Sequence, residues 1–235
     1  MRAEILFPEV CNLYGDLQNV YYLQRCCPSL EIVETDLKST PRFLEEDVTL
    51  VFMGSTTEQG LKLAADALRP YQEAIAAKVD AGQLFLATGN ALDSLGDAID
   101  SDAAERIDGL GLLPTCAEYH MMQRHNSFFV GKFEDMDIVG FKSLFGHSHG
   151  MGDALFDTVK GVGRDGTPQS GEGFRRGGLM ATYLIGPLLI LNPPLCKWLL
   201  RQMGADDTLA FEEAAMDSYR KRLSEFMEPG RSWKY

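Results

Sequence analysis

Apolar residues in this chain fall into short continuous runs separated by stretches with helical spacing. Ala3 to Phe7, Val48 to Met53 and Leu84 to Ala87 have the length and composition of strands buried on both faces, and Leu30 to Thr35 reads as a fourth. Leu17 to Cys26 and Leu61 to Asp80 place leucine, valine and alanine at helical intervals; Pro70 kinks the second stretch or starts a new segment. Strands alternating with helices of this length predict a doubly wound, mainly parallel α/β sheet with helices on both faces. The strands ending near Phe7, Met53 and Ala87 are expected to be neighbours. The stretch Gln83 to Gly96 organises the rest. Its strand breaks at Thr88-Gly89-Asn90, and Ala91 to Leu95 reads as the opening of a helix with Leu92 and Leu95 on one face. Such a turn aims one side chain and the helix-start N–H groups at whatever lies above the sheet. The tip residue is Gly89, which has no side chain to react.

The second half is patterned differently. Thr115 to Gln123 and Phe128 to Phe133 read as a strand pair, with another strand starting at Ile138. Gly140 to Gly178 is glycine-rich and predicts turns rather than helices. Leu179 to Leu184 is an apolar strand, and Asn192-Pro193-Pro194 leads into a helix carrying Trp198, Leu199 and Leu200. Asp206-Asp207-Thr208 reads as the cap of a final amphipathic helix through Phe226. With no repeat or linker, residues 1–235 are expected to form a single domain.

Charge narrows the partners. A formal net charge of −12 over 235 residues argues against nucleic acid or an anionic membrane as the main partner. No apolar stretch is long enough to span a bilayer, and the N-terminal MRAEILFPEV is too short and acidic for a signal peptide. Five cysteines without CxxC spacing suit reduced thiols, so a cytoplasmic location is expected.

Candidate chemistry is sparse. Thr88 and Ser94 flank the elbow without occupying its tip, and a capping or helix-face role is the plainer reading. Cys116 and Cys196 read as small core fillers, while Cys11 lies nearer the expected rim. His147 and His149 share a face if extended and would need a third ligand, with Asp153 the candidate, to hold a metal; a solvated glycine-rich loop is the plainer reading. Asn90 and Ala91 offer N–H groups at the helix start to a carboxylate or amide oxygen. Gly161 to Gly166 lacks the preceding strand and following helix of a dinucleotide fingerprint, and no cofactor is expected. Arg175-Arg176 reads as solvated.

Leu13-Tyr14-Gly15-Asp16 with Asn19-Val20, Asp108-Gly109-Leu110-Gly111-Leu112, Glu172-Gly173, Thr182-Tyr183-Leu184, Gly186-Pro187-Leu188-Leu189 and Asn192-Pro193 span nearly the whole chain. Together they resemble the class I glutamine amidotransferases, a flavodoxin-like fold. Within these they resemble the CobB/CobQ-like branch, which includes cobyric acid synthase domains and the glutaminase subunit of the peptidoglycan enzyme lipid II isoglutaminyl synthase. The latter is the most similar and partners a Mur-ligase-like subunit. The resemblance implies a cysteine nucleophile at the elbow, a histidine base after the TYL strand, and backbone N–H groups near a glycine-rich loop as oxyanion hole. Matched residue by residue, the cysteine falls on Gly89 and the histidine on Ile185. The loop corresponds to Phe52 to Thr56, with Gly54 kept and Ser55 beside it. A family glutamate and histidine fall on Lys142 and Leu144, and an arginine on Phe128. The expectation is a catalytically degenerate amidotransferase, a pseudoenzyme that binds a Mur-ligase-like partner and a small amide or amino acid, with Gly54, Ser55, Asn90 and Ala91 as the retained ligand positions. Two alternatives stay open: an active glutaminase with a non-standard nucleophile, and a metal-dependent activity on His147 and His149. Docking predicts an exposed apolar patch drawn from Phe145, Met151, Phe156, Leu188, Leu189 and Ile190.

Overall fold

A computed structural model describes residues 1–234. In chain order, β1 (Arg2–Leu6), α1 (Gln18–Cys26), β2 (Glu31–Thr35), β3 (Leu50–Met53), α2 (Glu58–Leu68), α3 (Gln72–Asp80) and β4 (Leu84–Thr88) precede a single helical turn, α4 (Ala91–Ser94). Then come β5 (Ala98–Ser101), β6 (Ile107–Asp108), β7 (Thr115–Tyr119), β8 (His125–Phe133), β9 (Met136–Leu144), β10 (Gly146–Gly150), β11 (Asp157–Lys160), β12 (Phe174–Arg176) and β13 (Leu179–Thr182). The short α5 (Leu188–Leu191), α6 (Pro193–Gln202) and α7 (Glu212–Met227) close the chain.

The main sheet has the order β12-β13-β4-β3-β1-β2, parallel except for β12. The strands ending at Leu6, Met53 and Thr88 are neighbours, as the alternation of strand and helix predicts. Period-two alternation sorts their side chains into two cores. Ile5, Leu50, Phe52, Leu86 and Met180 pack with Val20 and Leu23 of α1 and Leu199 and Leu200 of α6. Leu6, Val51, Met53, Phe85, Ala87 and Ala181 pack instead with Ala64 and Leu68 of α2 and Ile75 and Val79 of α3. The proline at position 70 sits in a 3-10 turn that divides α2 from α3. A four-stranded sheet, β10-β7-β5-β6, and a three-stranded antiparallel sheet, β11-β8-β9, complete the fold. Phe129, Phe133 and Ile138 of the latter join the α1–α6 core.

Several local expectations are corrected. β7 does not pair with β8, because β7 lies between β5 and β10. β8 folds back instead on β9, through a tight turn at the positive-φ residue Glu134. The segment after the elbow is one helical turn, ended where Asp97 joins the β7 side. Asp206 caps no helix: its Oδ1 accepts the Thr208 N–H in a local turn, and α7 starts at Glu212, whose Oε2 accepts the Leu209 N–H. A strand, β11, does precede Gly161, although no helix follows the glycine run. Arg176 is engaged, pairing with Asp80 at 2.7 Å and donating to the Leu112 carbonyl. Arg175 stacks toward Phe133 and Trp198.

Candidate functional site

The carboxyl ends of β1, β3, β4 and β13 converge, as open parallel sheets require of a ligand site. Gly89 takes the elbow at φ +60°, a left-handed conformation that favours glycine. A Cβ built there would stand 1.9 Å from Ser55 Oγ and 3.2 Å from Ile185 Cγ2. The two positions that the resemblance assigns to nucleophile and base therefore face each other. One carries no side chain, the other a hydrocarbon, and Ser55 fills the space between.

Ser55 is held from below. Its N–H and hydroxyl both donate to Asp16 Oδ2, at 3.0 and 2.5 Å, and Thr88 Oγ1 donates to the same oxygen at 2.8 Å. Asp16 thus ties the β1–α1 loop to the ends of β3 and β4. Burial pushes its carboxyl upward, against the hydrogen bonds from Ser55 and Thr88. Gly54 is required here, because a Cβ would meet the Cys11 carbonyl at 2.7 Å. Asn90 performs a second tie: its side-chain amide accepts from the Thr56 N–H at 2.9 Å and donates to the Thr56 carbonyl at 2.8 Å.

Above this floor lies a cavity of about 120 Å³ lined by Tyr14, Thr56, Glu58, Gly89, Asn90, Arg124, Ser143, Tyr183 and Ile185. Of the four predicted ligand positions only Asn90 lines it. Gly54, Ser55 and Ala91 are buried behind the wall. The other candidate nucleophiles are spent: Thr88 on Asp16, Ser94 on the Ala91 carbonyl at 2.7 Å. Cys11 is fully buried, which pushes its thiol up to about 12. Cys196 is core, whereas Cys116 is half-buried.

A second polar cluster backs the cavity. Asp93 on α4 accepts from Tyr119 Oη and Tyr183 Oη, both at 2.5 Å, and from Ser148 Oγ at 2.8 Å. Complete burial raises its carboxyl to about 6, with those hydrogen bonds opposing. Tyr183 connects onward, since its N–H donates to Glu172 Oε1 at 2.8 Å and Glu172 pairs with Lys142. Lys142, wholly buried, also donates to the Val162 and Gly163 carbonyls at 2.7 and 3.0 Å. Burial lowers its ammonium pKa, and Glu172 pulls the other way. Asp16, Asp93 and Tyr119 were not foreseen as site residues. The buried carboxylates carried one signal, an acid placed beside the loop or elbow it braces.

His147 and His149 do lie on one face of β10, but His149 and Asp153 are both exposed. Among the described residues no three side chains form a metal-binding group. The expected apolar patch is also corrected: Phe156, Leu188 and Leu189 are core, Phe145 and Ile190 are half-buried, and Met151 alone is exposed. Packing of the short α5 onto α1 claims the leucines.

No protein-family profile matches the chain. It is 21% identical over 209 residues to the lipid II isoglutaminyl synthase (glutamine-hydrolyzing) subunit GatD of Staphylococcus aureus (strain N315), covering 88% of this chain and 86% of that protein. A crystal structure of a glutamine amidotransferase superposes with a TM-score of 0.57 at 14% identity, over 86% of this chain and 99% of that one. PurLQS from Thermotoga maritima gives 0.49 at 14% identity, over 94% and 98%. The chain has the glutamine amidotransferase fold and a distant sequence similarity to a glutamine-hydrolysing subunit.

Proposed function

We propose that this protein is a catalytically silent amidotransferase-like subunit, a single domain that binds rather than hydrolyses. The observation that carries the reading is the elbow: Gly89 has no side chain, and Ser55 Oγ lies 1.9 Å from where a Cβ would be. Loss of the nucleophile alone removes most of the rate in such enzymes. Ile185 supplies no base, so both halves of thioester chemistry lack a carrier. The cavity above Gly89, with Glu58, Asn90 and Arg124 on its walls, suits a small amino acid or amide. Similarity to a subunit of lipid II isoglutaminyl synthase favours a Mur-ligase-like partner in peptidoglycan chemistry over the cobyric acid branch, and a cytoplasmic site of action. Ammonia release from glutamine, followed by coupled glutamate dehydrogenase with and without a Mur-ligase-like protein, tests the reading. Background rates are expected in both cases, alongside co-purification with the partner.

A second reading is an active glutaminase with serine as nucleophile, favoured by the 2.5 Å contact between Ser55 Oγ and the Asp16 carboxylate beside Gly89. It predicts turnover that Ser55→Ala abolishes. Against it, Ser55 is sealed beneath the cavity floor.

A further inference from the structure

A second cavity, of about 210 Å³, opens beside the elbow pocket and shares Arg124 and Phe145 with it. At about 30 Å³ per water it has room for several. Its remaining lining is His120, Gln123, His125, Gly146, His147 and Lys234, with no carboxylate side chain among these described residues. That composition is unusual in a chain of net charge −12. Each polar group is placed by the fold. His125 opens β8 and contacts Ser127 Oγ at 2.9 Å, while His147 projects from β10 with its ring 5.2 Å from that of His125. Arg124 lies 4.4 Å over the Phe145 ring, and Lys234 is held by a backbone bridge to Ser127. His147 also carries a buried Nδ1 with no hydrogen-bond partner.

We propose that this cavity binds a small multivalent oxyanion of the phosphate class, held by Arg124 and Lys234 as charged donors and by His125 and His147 as ring N–H donors. Two permanent cations and convergent imidazoles match the several acceptor oxygens of a phosphate or diphosphate better than the single charge of a carboxylate. Burial and surrounding cations hold the imidazoles neutral: His147 is lowered to about 4 by desolvation and by His125, Lys142 and His149, with Asp165 opposing. His125 is lowered by burial, Lys142 and Lys234. Among the described residues the acids nearby are Asp102 on His120, Asp165, and Glu118 opposite His147 across the β7 pairing. A bound anion would offset the cationic repulsion and let the imidazoles charge. This site is independent of whether the elbow is catalytic.

The test is a titration of the imidazole proton resonances of the full chain with pyrophosphate, orthophosphate and acetate at constant ionic strength. Saturable shifts of His125 and His147 are expected, tightest with pyrophosphate and absent with acetate, and the His147 midpoint should rise from about 4. Arg124→Gln and Lys234→Gln should each weaken pyrophosphate binding about tenfold. Arg201→Gln, on α6 and outside the cavity, should leave it unchanged. Non-saturating shifts, or saturable binding equally tight in both cavity variants, would overturn the assignment.

Discussion

Two buried carboxylate clusters lie within one helical turn of the elbow, and they differ in what they hold. Beneath the elbow, Asp16 gathers Ser55 and Thr88 and closes the space where a reactive side chain would stand. Behind it, Asp93 gathers Tyr119, Tyr183 and Ser148, and Glu172 with Lys142 extends the cluster into the glycine-rich region. The first is a floor without reach into the cavity, and the second is a wall whose tyrosines line it. The difference teaches that the carboxyl-end face keeps its shape through polar ties that do not depend on a nucleophile. That is the physical basis for proposing a binding site without the chemistry.

The largest effect should come from the wall. Lys142→Met leaves Glu172 charged and unpaired in the interior, and a loss of about 3–5 kcal/mol is expected by chemical denaturation. Lys142→Met with Glu172→Leu should recover part of it. Little loss in the single variant would mean that the pair does not brace Tyr183. The floor comes next. Asp16→Ala strands the Ser55 N–H, Ser55 hydroxyl and Thr88 hydroxyl, at a cost of about 3 kcal/mol.

A pH series reads the wall carboxyl directly. The Asp93 carboxyl titrates near 6 when folded, above its ordinary value of 3.8. Its protonated form therefore stabilises the fold fully below the ordinary value, and that contribution is lost as pH rises through about 6. Relative to Asp93→Asn, the natural chain should lose about 3 kcal/mol of stability between acid and neutral pH. A flat difference would place Asp93 in contact with water.

Gly89→Ala adds a Cβ at positive φ against Ser55 and should cost about 2 kcal/mol. In a Ser55→Gly background the steric part should vanish, leaving the backbone strain. Additive effects in the two backgrounds would show that Ser55 does not occupy the elbow. Smallest of all, Lys62→Ala breaks an exposed pair with Asp66 and should leave the denaturation midpoint unchanged within error.

The main sheet was legible because β1, β3, β4 and β13 are buried on both faces and punctuated by Gly82, Gly89 and the helix cap Thr57, whose hydroxyl accepts the Gly60 N–H. Pairing in the second half was not, because β5, β7 and β10 are short and half-exposed, so several partners satisfy the same pattern. The empty elbow was visible in Gly89 and Ile185. Its filling was not, since Ser55 and Asp16 meet across 39 residues and only the fold sets that contact. The helix start at Glu212 was hidden because Asp206 and Thr208 satisfy each other locally. The exposed patch failed because Leu188 and Leu189 turn inward as α5 packs onto α1, and Phe156 joins the same core.

The central claim is that no side chain at the elbow can form a covalent bond with glutamine. Intact-mass measurement after incubation with an electrophilic glutamine analogue tests it most directly. The natural chain should gain no glutamine-competed adduct, with or without a partner protein. A stoichiometric adduct that excess glutamine prevents, mapped to Ser55, Thr88 or Cys11, would contradict the account.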